Sequence, residues 1–169
     1  TMRLFSEESK SGSMETLMTL PVNEVHVVTG KYLASFLSTL IMISPSIFYV
    51  ITTAIFGDPD VGPIIGGYIG TIFLCAGFTA VGVFASSVTK NQIIAFFTGF
   101  IICIALTMID TFLIFLPSNI VEFVSYISAD MHFRSITQGI IDSRDLVYFI
   151  TVFALFFTAT IKVQQNAKK

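Results

Sequence analysis

Charge is scarce in this chain: only 12% of its 169 residues are Asp, Glu, Lys or Arg, where soluble domains average about 25%. That scarcity, with 54% hydrophobic residues and a mean hydropathy of +0.84, excludes a water-soluble globular domain. A formal net charge of -2 excludes a nucleic-acid partner, because few phosphates could be neutralised. The chain has only two cysteines, Cys75 and Cys103. Both lie in apolar runs, where a thiol behaves as a small hydrophobe, so no disulfide framework is implied.

Chemistry-bearing motifs are lacking too. Gly30-Lys31 is the nearest approach to a phosphate-binding loop, but position 25 is Val and position 32 is Tyr. Both the upstream glycine and the downstream hydroxyl of such a loop are missing, so no nucleotide site is expected. Lys31 reads instead as an anchor at the membrane boundary. His26 and His132 have no cysteine or carboxylate at ligand spacing, which argues against a metal site. No catalytic triad or carboxylate dyad is present, and the expectation is a non-enzyme without cofactors. The polar first 25 residues lack the basic segment and short apolar run of a signal peptide, and Thr1 is not an initiator. They suggest a chain cut from something longer.

What is there is apolar length. Residues 32–57 and 61–89 carry no charge, and residues 91–121 carry only Asp110. Each run exceeds the roughly 20 residues that an α-helix needs to cross the hydrocarbon core. A shorter run, 146–161, can complete a fourth span if Lys162 extends its ammonium to the interface. The runs are apolar on all faces, which disfavours the alternating strands of a barrel. The fold expected is an all-α polytopic membrane bundle with spans at about 32–56, 63–87, 92–116 and 145–162, making 26–169 a transmembrane domain behind a 1–25 loop.

An even number of spans groups residues 1–31, 87–92 and 162–169 on one side. Those segments hold Arg3, Lys10, Lys31, Lys90, Lys162, Lys168 and Lys169, leaving only Arg134 and Arg144 on the other. The positive-inside rule then places both ends of the chain in the cytoplasm. On the outer side, Gly57-Asp58-Pro59-Asp60 reads as a tight acidic turn. Segment 118–143 carries Ile120, Phe123, Val124, Ile127 and Met131 at helical spacing without the length to span, so two short re-entrant helices broken around Ser128 to Met131 are expected.

Two intramembrane features invite a role. Gly62, Gly66 and Gly70 recur every four residues, a spacing that lets helix backbones approach closely, either between protomers or within one subunit. Asp110 is an acid inside a span, where a contact with the translocated substrate or a hydrogen bond to a nearby Ser or Thr would each account for it. On the inner side, Gly12 or Ser13 caps a short helix over Met14 to Leu20, Glu15 favours its positive end and Pro21 ends it. Met14, Leu17 and Met18 share one face, suited to docking in a groove or to lying in the interface.

The string Phe5-Ser-Glu7-Glu8-Ser-Lys10-Ser-Gly12-Ser13-Met-Glu15-Thr-Leu17-Met-Thr19-Leu20-Pro21-Val22, followed by Gly30-Lys31-Tyr32, resembles the motif of ABC-2 type permeases. Within them it most resembles the gliding-motility-associated branch. The strings from Gly82 to Gln92 and from Gly139 to Phe149 fit the same branch. The resemblance implies a six-helix permease of a bacterial cytoplasmic (inner) membrane, of which this chain holds helices three to six. It implies a coupling helix carrying Glu8, Gly12, Glu15, Leu17, Met18, Leu20 and Pro21, two cytoplasmic ATP-binding cassette ATPase subunits as partners, and dimerisation with itself or a related permease. Relatives often carry a basic pair and a Thr where this chain has Ser9-Lys10-Ser11 and Ser13. A membrane scaffold of a motility or envelope machine, without its own translocation path, is the alternative.

Overall fold

The computed structural model describes residues 1, 4–6, 24–112, 126–139 and 142–167. All regular structure among them is helical: α1 (Glu24–Ile43), a 3-10 turn (Ser44–Ser46), α2 (Ile47–Phe56), α3 (Val61–Val88), α4 (Gln92–Phe112), α5 (Ala129–Thr137) and α6 (Ser143–Ala167). Four stretches are long and apolar enough to cross a membrane, namely Glu24–Phe56, Val61–Val88, Gln92–Ile109 and Ser143–Asn166. The all-helical multi-span bundle expected from the charge-free runs is therefore the fold, with α5 as an additional short helix. The expected coupling helix, at 14–20, lies outside the described residues.

Helices form here because hydrocarbon offers the backbone no other hydrogen-bond partners. Side-chain hydroxyls follow the same rule. Thr39, Thr52, Thr53, Thr71, Thr151 and Thr160 each donate to the carbonyl four residues back, so none of these hydroxyls needs water.

Polar caps set the turns. Asp60 accepts from the Gly62 N–H at 3.1 Å and starts α3, with Pro63 tolerated in the first turn. Asn91 accepts from the Ile93 N–H at 2.9 Å and starts α4. Ser128 caps α5 through the Met131 N–H. That places a helix start at Ser128, within the stretch where a break was expected; residues 113–125 lie outside the described residues.

The first apolar run differs in detail from its sequence reading. The helix begins at Glu24, ahead of 32, and it is interrupted at Ser44-Pro45-Ser46. Pro45 lacks an N–H and crowds the preceding turn, so the chain tightens to 3-10 geometry and resumes as α2. No residue of α2 is buried; Phe48, Tyr49 and Phe56 are at least 72% exposed.

Helix α3 is the hub, packing against α1, α4, α5 and α6. Small residues make this geometry accessible. A Cβ on Gly77 would meet Val152 of α6 at 3.5 Å, and one on Gly99 of α4 would meet Ala85 of α3 at 3.3 Å. Close backbone approach substitutes for the hydrophobic driving force that lipid does not supply. Around α6 the packing is aromatic: Tyr32 lies 4.9 Å from Phe153 and 5.8 Å from Phe157, and its hydroxyl donates to the Ala76 carbonyl at 3.2 Å. Phe84 meets Phe156 at 5.5 Å. A tilted ring array of this kind adds to area burial through quadrupole complementarity.

Candidate functional site

The bundle has two polar ends, and each holds a short piece of chain against the spans. At the end where α1 begins and α3 finishes, residues 4–6 are packed into the bundle. Phe5 is 1% exposed and shares a cluster with Val28, Tyr32, Ala80 and Val83. The Phe5 and Ser6 N–H groups both donate to Ser86 Oγ, at 3.0 and 3.2 Å. Lys31 donates to the Leu4 carbonyl while its ammonium sits 4.0 Å from the centre of the Phe5 ring. Burying an aromatic beneath an ammonium compensates part of the charge's desolvation. Lys31, read from sequence as a boundary anchor, is thus also the residue that fastens the segment leading toward positions 8–21. Those positions themselves, Glu8, Gly12, Glu15, Leu17, Met18, Leu20 and Pro21, lie outside the described residues.

At the opposite end α5 lies against α3, α4 and α6. Gly66 and Gly70 of α3 form its seat. A Cβ on Gly66 would overlap the Ile136 carbonyl oxygen and come within 3.3 Å of Gly139 Cα. One on Gly70 would sit 3.2 Å from Ile136 Cγ2 and 3.3 Å from the Phe133 ring. Gly62 lies beyond them, where a Cβ added to Gly139 would meet its carbonyl carbon at 3.5 Å. In this chain, then, the glycine stripe receives α5 of the same subunit. Gly139 itself has φ +83°, the left-handed conformation that turns the chain toward α6.

The polar side of α5 faces α6. His132 Nδ1 lies 2.7 Å from Asp145 Oδ1, and its Nε2 lies 3.1 Å from the Tyr126 carbonyl oxygen. Tyr148 stacks on the imidazole at 4.3 Å between centroids and donates to the Ile127 carbonyl at 2.7 Å. Asp130 and Arg134 pair across one turn at 2.8 Å, with Arg134 exposed and Asp130 half-buried. This cluster was not visible in the sequence, because His132 and Asp145 stand on different helices at no diagnostic spacing. The one signal was the run of polar and charged residues from Asp130 to Asp145 in a chain otherwise rich in apolar residues.

Asp110 lies near the end of α4, a helix that touches α5; its side chain lies outside the described residues. Among the described residues no group of three or more His, Cys, Asp and Glu could hold a metal ion. Two cavities flank α5. One of about 290 Å³ opens between the Ser44–Ser46 turn, α3 and Phe133, with Ser46 Oγ and Tyr68 Oη 2.9 Å apart at its wall. The other, about 340 Å³, lies beside Tyr126, His132, Arg144 and Tyr148.

No curated protein and no solved structure was found to match the chain. A family model described as "ABC-2 family transporter protein" matches residues 1–162, nearly the whole length. Together with the multi-span helical bundle, that match establishes that the chain belongs to the ABC-2 family of membrane transporter proteins.

Proposed function

We propose that this chain is the permease subunit of an ATP-binding cassette transporter, coupled to separate cytoplasmic ATPase subunits and working as a dimer with itself or a related permease. The observation that carries the reading is the family match over residues 1–162. The buried tether at residues 4–6 supports it, because a segment that receives force from a soluble partner must be fastened to the spans it moves. Ser86 of α3 and Lys31 of α1 do the fastening. The split of basic residues supports a cytoplasmic position for that end, in a bacterial inner membrane. The strings around Gly12, Ser86 and Arg144 favour the gliding-motility-associated branch. ATP hydrolysis then belongs to the partner chain, and the motif residues from Glu8 to Pro21 form the coupling helix.

The test is Leu17→Asp in the full-length protein. A carboxylate on a docking face is buried without a partner, so ATPase co-purification is expected to fall at least about tenfold while membrane insertion is unchanged. Equal recovery of an ATPase with wild type and variant would remove the coupling-helix assignment.

A further inference from the structure

We propose that the window between α2 and α3 binds one acyl chain of a phospholipid with an amine headgroup, drawn from the leaflet on the side of the 57–60 turn. The inference stands whether or not the chain couples to an ATPase. Two fastenings frame the window: the 57–60 turn joins the helices at one end, and Ser46 Oγ and Tyr68 Oη are bonded at 2.9 Å at the other. Between them lies the cavity of about 290 Å³, walled by Val50 of α2, by Pro63, Ile64 and Gly67 of α3 and by Phe133 of α5. A Cβ on Gly67 would meet nothing within 4 Å, and no residue of α2 is buried, so neither helix fills the gap. Tyr68 stands about 12 Å beyond Asp60 by helical rise, which carries the window through most of one leaflet of a hydrocarbon core roughly 30 Å thick.

The walls choose the occupant. Thr71, which also lines the cavity, donates its hydroxyl to the Gly67 carbonyl at 2.7 Å, while Ser46 and Tyr68 bond to each other. Water needs roughly two to four polar partners and would not find them among these walls. A helix of a second copy is too thick, since one turn of a helix about 10 Å across needs more than about 400 Å³. A void there would forfeit the dispersion contacts of every atom lining it. The cavity is continuous with the lipid-facing surface of the span Glu24–Phe56, where Phe48, Tyr49 and Ile55 are exposed. A hydrocarbon tail is what the surroundings supply and the walls accept. Charge then selects the headgroup, because tails are as apolar as the side chains they displace and burying one gives no preference among lipids. Asp58 and Asp60 are exposed in the turn at headgroup level. They attract an ammonium and repel a lipid with net negative charge.

Native mass spectrometry of the full-length protein tests this, with release from nanodiscs of equal phosphatidylethanolamine and phosphatidylglycerol bearing identical chains. One phospholipid per subunit is expected to survive release, with the ethanolamine lipid favoured about fivefold and that preference reduced in Asp58→Asn. Gly67→Phe and Val50→Phe fill the window from opposite walls, so that one remains informative if the other misfolds. Each should lower retention about tenfold or more, whereas Phe48→Ala, on a residue that does not line the cavity, should leave it unchanged. Phosphatidylethanolamine with a diazirine on its acyl chain should label the peptide 64–71 in wild type and far less in the filled variants. No retained lipid in wild type, retention untouched by both filling variants, or equal retention of the two lipids overturns the site. Rapid disulfide formation in the double variant Val50→Cys, Gly67→Cys within the bilayer also overturns it, because the window would then be closed by α2 itself.

Discussion

Replacing Gly66 by Ala is the sharpest probe of how α5 is seated, because its neighbour Gly67 provides an internal control. Both glycines lie in the interior of α3, so both substitutions gain the same helix propensity, about 1 kcal/mol. The surroundings differ completely. A Cβ on Gly67 meets nothing within 4 Å, whereas one on Gly66 overlaps the Ile136 carbonyl oxygen and presses on Gly139 Cα. Both of those obstacles are backbone, which no rotamer change can move aside. Overpacking of this kind typically costs about 1–3 kcal/mol. The propensity gain cancels between the two variants, so the full cost remains as their difference. For a chain of this size that corresponds to a melting temperature lower by about 2–12 °C in Gly66→Ala than in Gly67→Ala. Gly70→Ala should fall between them, since its obstacles are the ends of Ile136 and Phe133 side chains at 3.2 and 3.3 Å. Thermal unfolding in one detergent, followed by tryptophan-independent probes such as cysteine accessibility, gives the ordering. A Gly66→Ala protein as stable as Gly67→Ala would refute the seating of α5 on α3.

Topology can be checked by labelling: a cysteine at Asp60 or at Ser135 should react from outside the cell, and one at Asn91 should not. Reaction at Asn91 with protection of the other two would invert the orientation. Ser86→Ala removes the acceptor used by the Phe5 and Ser6 amides and should weaken the tether by about 1–3 kcal/mol. Limited proteolysis near residues 4–6 would then be faster, and an unchanged rate would show that Ser86 does not hold the segment. Gly139→Ala places a Cβ in the left-handed region at φ +83° and should cost about 1–2 kcal/mol, read as a lower melting temperature. The chain alone should bind no ATP, because Gly30-Lys31 lacks the flanking residues of a phosphate loop. Saturable nucleotide binding by the purified chain would contradict that reading.

The helical fold was legible because a bilayer penalises charge and unpaired backbone so heavily that charge-free runs admit few solutions. Runs 32–57 and 61–89 needed no further evidence to be read as helices. The break at Pro45 was less legible, since hydropathy does not register the loss of one N–H, and lipid-embedded helices tolerate proline where local 3-10 geometry can absorb it. The glycine spacing announced a close approach but not its partner. Four-residue spacing fixes which face of α3 is thin; it says nothing of what fills the space, and the occupant, α5, is a nine-residue helix with an otherwise polar sequence. The pairing of His132 with Asp145 was illegible for a related reason. Between them the chain turns at Gly139 and starts α6, so their contact is a product of how α5 lies on Gly66 and Gly70. Local pattern specifies elements; contacts between elements depend on the packing that small residues permit. It follows that the polar clamp and the glycine seat are coupled. Moving α5 by the width of a methyl at Gly66 would separate Nδ1 from Oδ1 by more than a hydrogen bond tolerates. Gly66→Ala should therefore lower the hydrogen-exchange protection of the α5 amides. A Gly66→Ala protein that kept wild-type protection of α5 would mean that α6, and not α3, sets the position of the short helix.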